Sequence, residues 1–325
     1  MTSQPAPQAF DTIGFLRKYG TSIFLLLLIA FFTLQNARFL SLRNASNILT
    51  EVSIYGVVAV GMTFVILTGG VDLAVGSLLA FASIAAAWVV QHVGFGPQWL
   101  LAIAIAALIG AAAGYIHGKS VTLFNVPAFI ATLGGMTVWR GATLMLNDGG
   151  PIAGFDDGYR WWGTGSVAGV PVPVIVFALV ALIGHIVLRY TRYGRQVYAV
   201  GGNAEAARLS GVDVKAILIS VYVIVGLLAG LSGFLLSARL GSAEAVAGIS
   251  YELRVIASVV IGGASLSGGS GSIRGTLIGA LLIGVLSNGL VVMHVSSYFQ
   301  QVVIGIIIVM AVAFDSYAKS HRGKV

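Results

Sequence analysis

The sequence predicts an all-α polytopic membrane protein with about ten transmembrane helices, some of them broken. Three observations predict it. The 325 residues are 58% hydrophobic and 9% charged, with mean hydropathy +0.96. Soluble domains carry roughly 25% charged residues, so a water-soluble fold is excluded on composition. Apolar segments of span length recur along almost the whole chain. Glycine is abundant, at 43 residues, which suits helices packing closely in lipid, where small residues let backbones approach.

The spans run approximately over 19–35, 50–68, 74–92, 98–117, 127–146, 171–189, 215–237, 250–264, 274–293 and 297–316. The weakest is 250–264, which is short and begins near Glu252 and Arg254. The polar, Pro- and Gln-containing start, up to about Phe15, reads as disordered. Arg17 and Lys18 ahead of an apolar run imitate a signal peptide, but no small-residue cleavage site follows Leu34 and further spans continue to the end.

Net charge is +7. In a membrane chain this reads as topology rather than as nucleic-acid binding, because cytoplasmic loops collect Lys and Arg. With the N-terminus inside, twelve of the 18 basic residues fall in the cytoplasm: Arg17, Lys18, Lys119, five from Arg189 to Lys215, Arg274, and the Lys319, Arg322 and Lys324 tail. The six outside (Arg38, Arg43, Arg140, Arg160, Arg239 and Arg254) are matched by Glu51, Asp148, Asp156, Asp157, Glu244 and Glu252. Both termini are therefore expected in the cytoplasm. Residues 1–18 form a cytoplasmic N-terminal segment, 19–316 the membrane domain, and 317–325 a basic cytoplasmic tail. The longest outer loop is 147–170, acidic and Gly-rich, with Trp161 and Trp162 suited to the membrane–water interface. It reads either as a solvated loop on an aromatic belt or as a docking surface, with Asp148, Asp156 and Asp157 facing a partner.

Several chemistries find no support. Cysteine is absent, which removes disulfides and thiolate sites. The five histidines (His92, His117, His185, His294 and His321) show no ligand spacing. GGASLSGGSGS lacks the Gly-Lys-Ser/Thr ending of a phosphate-binding loop. No paired carboxylates, His–Glu metal motif or Ser–His–Asp set is visible, so neither a cofactor, a metal nor a catalytic residue is assigned, and an intramembrane enzyme is a rival without residues to support it.

Three Gly-rich polar clusters interrupt the spans: 68–77 (TGGVDLAVGS), 125–135 (NVPAFIATLGG) and 261–275 (IGGASLSGGSGSIRG). Irregular backbone near lipid is tolerated only when buried or lining a cavity. The helix breaks are placed at Gly69, Gly70, Asp72, Gly262 and Gly263. The first and third clusters share a Gly-Gly-x-x-Leu core, which hints at an internal repeat. Asp72 is the one carboxylate within these breaks. It reads first as a cap for the following helix and second as a functional group at depth. An ion-coupled carrier normally needs carboxylates or histidines along its path, and Asp72 alone is a weak candidate. Asn125, Thr132, Trp139 and Asn288 could face a path for a neutral polyol, with Phe129 as a gate. Interhelical hydrogen bonding explains each of the polar ones equally well.

Between Thr191 and Val212 the chain turns polar and basic, with Arg192, Arg195 and Arg208. A short helix over 204–210 is expected, with Asn203 as N-cap, Glu205 in the first turn and Gly211 as its left-handed stop. At about 10 Å it spans nothing, and a capped helix on a positive loop, 190–214, suits docking into another protein.

Taken together, GGVDLAVGS, NVPAFIATLGGM, RYGRQVYAVGGNAEAARLSGV and IGGASLSGGSGSIRGTLIGALLIGVLSNGL resemble the permease subunits of ribose-type ABC sugar importers, across about Asn47 to Asp315. The resemblance implies a multi-pass subunit of the bacterial inner membrane that pairs with a second permease copy, as a homodimer or heterodimer. It implies a separate cytoplasmic ATPase, typically of tandem-cassette type and carrying the ATP and Mg, and a periplasmic sugar-binding protein that delivers a monosaccharide. It carries the ATPase-coupling role onto Ala204, Glu205 and Arg208, with Tyr193, Gly194 and Gly202 beside them. Branched-chain amino-acid permeases are more distant relatives whose loops read differently from GGNAEAARLSG.

Overall fold

All seven prolines lie before residue 174, and the four beyond Pro151 and the N-terminal pair stand at helix starts. Pro97, Pro127 and Pro171 occupy the N-cap positions of three helices, where a missing N–H leaves no ladder bond unmade. Between these points the apolar runs are free to propagate. The computed structural model describes residues 12–93 and 97–320; residues 1–11 of the expected N-terminal segment and 321–325 of the expected tail lie outside the described residues.

The helices, in chain order, are α1 (Thr12–Gln35), α2 (Leu42–Leu67), α3 (Val75–Val93), α4 (Gln98–Leu123), α5 (Ala128–Leu146), α6 (Asp157–Thr164), α7 (Val172–Tyr190), α8 (Arg192–Gly202), α9 (Ala204–Leu209), α10 (Val214–Leu240), α11 (Tyr251–Ile261), α12 (Ile273–Val292) and α13 (Ser297–Ser320). A 3-10 helix (Ala37–Leu40) and two minimal antiparallel pairs complete the described structure: β1 (Ile152–Ala153) with β4 (Ser242–Ala243), and β2 (Ser166–Val167) with β3 (Val170–Pro171). The irregular start expected up to Phe15 is corrected, since α1 begins at Thr12 with no proline to prevent it.

Among the described residues, seven helices are long and apolar enough to cross a membrane: α2, α3, α4, α5, α7, α10 and α12. The other expected segments fall on α1, α11 and α13. The segment expected over 250–264 is shorter in the structure. Ser250 takes a left-handed φ of 63° before α11, and the Gly262–Gly263 turn ends it after 11 residues, about 16 Å of rise.

α2 is the buried axis of the molecule, packed by α7, α10, α11 and α12, and it is buried continuously from Val52 to Leu67. α5 lies outside, with Phe129, Ile130, Val138 and Met145 exposed. In water that face would be a liability; in a bilayer, apolar exposure costs nothing.

The most extensive helix pair is α4 with α10, and its cause is legible residue by residue. Ala106, Gly110, Gly114 and Gly118 recur every four residues along α4, facing Tyr222, Gly226 and Gly230 on α10. A side chain at Gly110 would land on the Gly226 carbonyl, and one at Gly226 on the Gly110 carbonyl. Gly114 meets the Tyr222 carbonyl and Gly230 the Ala106 carbonyl in the same way. The small-xxx-small spacing thus sets the backbone approach.

Gly226→Ala should destabilise the detergent-solubilised protein by about 1–3 kcal/mol, the usual cost of overpacking, read as a lowered thermal midpoint. Gly134→Ala, where an added methyl meets nothing within 4 Å, should leave the midpoint unchanged.

Candidate functional site: a basic arm on glycine loops and a buried polar node

Two short helices leave the spans between α7 and α10. The sequence places a loop across 192–202; the structure folds it as α8. Thr191 Oγ1 accepts from the Gly194 N–H at 3.1 Å, and Gly194, Val197 and Val200 form a buried stripe at helical spacing, the signal available in the sequence. Gly194 has no room for a side chain because the turn from α7 brings the Val187 and Leu188 carbonyls against it. α9 follows as expected. Asn203 Oδ1 accepts from the Ala206 N–H at 2.9 Å, and Gly211 stops the turn with φ +84°. Glu205 and Arg208 are exposed and pair at Nε–Oε2 3.0 Å. The guanidinium holds the Glu205 carboxyl below its usual range. Ala204 begins this helix and Gly202 ends α8, where an added methyl would meet nothing within 4 Å.

α8 is tied to the spans at three points. Tyr193 Oη and Ser220 Oγ lie 2.7 Å apart, joining it to α10. The Tyr198 hydroxyl donates to the Gly271 carbonyl at 2.8 Å, joining it to the lead-in of α12. Gly201 sits against the Leu67 carbonyl at the end of α2 and, for an added Cβ, 2.7 Å from the Gly269 nitrogen. Gly269 N–H in turn donates to the Leu67 carbonyl at 2.9 Å. The basic arm therefore rests directly on the first and third of the three Gly-rich breaks.

Those breaks share one backbone geometry. Gly69 N–H bonds the Ile66 carbonyl and Gly70 N–H the Val65 carbonyl; Gly263 N–H bonds Val260 and Ala264 N–H bonds Val259. Gly69 and Gly263 carry φ of +80° and +89°, the left-handed stop that glycine adopts at no steric cost. The backbone match is offset by one residue from the Gly-Gly-x-x-Leu alignment. It equates Gly69 and Gly70 with Gly263 and Ala264, and Gly262 with Thr68.

The second feature is a buried polar node where the 68–74 break meets α4 and α5. Asp72 Oδ1 accepts from the Ala74 N–H at 2.8 Å, the capping role the sequence favours. Its Oδ2 lies 3.3 Å from His117 Nδ1, a partner the sequence reading passes over because His117 is 45 residues away. The Trp139 indole N–H donates to His117 Nε2 at 3.0 Å. An indole can only donate, so Nε2 must present its lone pair, and the ring N–H sits on Nδ1, aimed at Asp72. Asp72 and His117 are 0% and 2% exposed. The Val71 carbonyl receives the Tyr222 hydroxyl at 3.4 Å, and the Thr132 hydroxyl, whose proton goes to the Ala128 carbonyl at 2.9 Å, lies 3.4 Å away.

A further break, absent from the sequence reading, joins α10 to α11. Gly248 (φ +68°) lies against Gly76 at the start of α3, and Arg140 of α5 donates to the Ala245 carbonyl at 2.6 Å. Arg254 pairs with Glu51 at 3.2 Å. Gly241 and Gly248 bracketing Glu244 were the available signal.

Of the candidate pathway residues, Asn125, Phe129, Thr132 and Trp139 share α5 and its lead-in. Asn125 and Phe129 are exposed, Asn125 in a left-handed turn with φ 51°. Thr132 is buried, bonded to the Ala128 carbonyl at 2.9 Å, and Trp139 stacks on Phe81 at 5.3 Å. Asn288 stands apart on α12, where it accepts from Asn44 Nδ2 at 2.8 Å, an interhelical bond. Asp148, Asp156 and Asp157 are exposed on the segment linking α5 to α7. Asp156 caps α6 through the Tyr159 N–H at 2.6 Å, and β1–β4 fastens this segment to the chain after α10.

A helical, multi-pass membrane protein with a basic two-helix arm seated on its helix breaks is the class these features define. The family described as "Branched-chain amino acid transport system / permease component" matches residues 44–312, and the chain belongs to it. The chain is 45% identical over 321 residues to the ribose import permease protein RbsC of Escherichia coli (strain K12), covering 97% of this chain and 99% of that protein. It is 46% identical over 304 residues, 93% and 94% of the two chains, to the ribose import permease protein RbsC of Bacillus subtilis (strain 168). It is 40% identical over 307 residues, 94% of each, to the D-allose transport system permease protein AlsC of Escherichia coli (strain K12). No solved structure matches the chain. The protein is a permease component of the inner membrane, not an enzyme.

Trp139→Phe keeps an aromatic ring on Phe81 but leaves His117 Nε2 buried without a donor. It should cost about 1–3 kcal/mol, measured as a lowered thermal midpoint in detergent, whereas Thr137→Ala on the exposed side of α5 should not.

Proposed function

We propose that this chain is the membrane-spanning permease subunit of an ATP-driven importer of a monosaccharide, a ribose-like pentose or hexose, in a bacterial inner membrane. What supports this reading most is identity of 45% across 97% of the chain to a ribose import permease. In it, the ten apolar helices α1–α5, α7 and α10–α13 traverse or enter the bilayer with both termini in the cytoplasm. Two permease subunits line one path. A separate ATPase, with its ATP and Mg, grips α9, and a periplasmic sugar-binding protein docks near Asp148, Asp156 and Asp157.

The mechanism follows from the three ties of α8. A short rigid helix transmits motion only if its contacts differ between two states. Movement of α9 is passed through α8 to the end of α2 at Leu67, to the lead-in of α12 at Gly271 and to α10 at Ser220. Those three spans reach the opposite surface, so tilting their inner ends alternates access along the path. An ion-coupled carrier would instead need a titratable group open to the path. Asp72 and His117 are both buried with their polar atoms already engaged, which favours an external motor.

Glu205→Ala and Arg208→Ala should each reduce ATP-driven sugar uptake in the assembled transporter about tenfold, the effect expected of a central interface residue. Membrane insertion and thermal midpoint should match the parent protein, since both side chains are solvent-exposed. Unchanged uptake by both variants would refute the coupling role of α9. Uptake abolished by collapse of the proton or sodium gradient, with ATP still present, would favour the carrier.

A further inference from the structure

Beside α8 lies a cavity of about 370 Å³, walled by the end of α7 (His185, Arg189), by Tyr198 of α8 and by the start of α12 (Gly271, Ser272, Arg274). Arg189 and Arg274 are exposed and have no carboxylate partner among the described residues. The chain thus brings two unneutralised guanidinium groups, 85 positions apart in sequence, to one concave site. Further donors converge there. The Ser272 hydroxyl caps α12 by accepting from the Gly275 N–H at 3.1 Å, which leaves its own proton free to donate. The N–H groups of Ile273 and Arg274 precede the intrahelical ladder of a 20-residue helix, and the helix dipole adds positive potential. Guanidinium groups, a hydroxyl and helix-start amides are the donor set that recognises phosphate oxygens.

The position says which phosphate. One turn before the cavity, α7 exposes Leu182, Ile183 and Ile186, and Tyr190 presents an exposed ring at its rim. The cavity therefore opens where an apolar helix flank gives way to polar residues, the level of the headgroups. We propose that it binds the phosphodiester headgroup of an anionic phospholipid, wedged between α7 and α12 next to the Tyr198–Gly271 bond. Basic pockets between spans near the surface are suited to such headgroups. The proposal needs only that the chain spans a membrane, so it stands whether or not α9 meets an ATPase.

The test is native mass spectrometry of the protein released from nanodiscs holding equal phosphatidylglycerol and phosphatidylcholine. The parent protein should retain phosphatidylglycerol selectively. Arg189→Gln with Arg274→Gln should weaken that retention by roughly thirty-fold, two basic contacts' worth. Arg189→Lys with Arg274→Lys should restore most of it. Arg192→Gln with Arg195→Gln, on exposed positions of α8, should leave it intact. Parental thermal midpoints for all variants establish that the fold is preserved; if the glutamine pair is unstable, the lysine pair and titration of the parent protein with short-chain phosphatidylglycerol carry the test. Retention unchanged in the glutamine pair overturns the site. Stabilisation by inorganic phosphate without preference between the lipids, or an effect on partner binding alone, overturns the lipid assignment.

Discussion

Backbone that leaves a helix inside a bilayer finds no water, so each freed N–H and C=O must be met by the protein itself. This chain breaks its helices at several places, and the breaks over 68–74, 241–250 and 262–272 are met from another element. The Leu67 carbonyl at the end of α2 accepts from the Gly269 N–H. The Val71 carbonyl takes the Tyr222 hydroxyl from α10, and the Ala245 carbonyl takes the Arg140 guanidinium. Within the helices the same economy holds: Tyr55 donates to the Ala280 carbonyl and Ser232 to that of Ile54. An unpaired amide in such a place costs several kcal/mol. The breaks are therefore held as firmly as the spans.

Such satisfaction from a distance turns local irregularity into mechanical connection. Because the Leu67 carbonyl is shared with the loop before α12, the ends of α2 and α12 cannot move apart without exposing it. Gly201 brings α8 onto the same carbonyl, so the arm and both spans meet in one joint. The cavity proposed for a headgroup shares Tyr198 and Gly271 with that joint. The Asp72–His117–Trp139 node acts at another level. It fastens the start of α3 to α4 and α5, and its donors and acceptors form a closed chain with no group left for transfer.

Much of this was legible in the sequence, for physical reasons. Helices α2 to α5, α7, α10 and α12 follow from long apolar runs, and α9 from the cap Asn203, the first-turn Glu205 and the stop Gly211, all local signals. The helix breaks at Gly69 and Gly263 were legible from glycine density, whereas their left-handed geometry came only from the structure. What escaped was either long-range or weakly patterned. His117 and Asp72 are separated by a helix, so no spacing rule joins them. α8 was hidden because three buried positions in 11 residues fall short of a span-like signal. The break over 241–250 contains no proline, and α1 begins earlier than its polar composition suggests. Asn288 could be named as polar within a span, but only packing reveals that it is bonded to Asn44 and not facing the α5 residues.

The joint itself can be measured directly, because the chain has no cysteine and spin labels can be placed at will. Labels at Leu209→Cys on α9 and Ser270→Cys in the loop before α12, both exposed positions, report whether arm and loop move as one body. In the complete transporter, the distance between them should stay constant from the nucleotide-free to the ATP-bound state, while the distance from Leu209 to a label at Asp157→Cys on the opposite surface changes. A Leu209–Ser270 distance that shifts by several ångströms while the spans stay still would contradict the account.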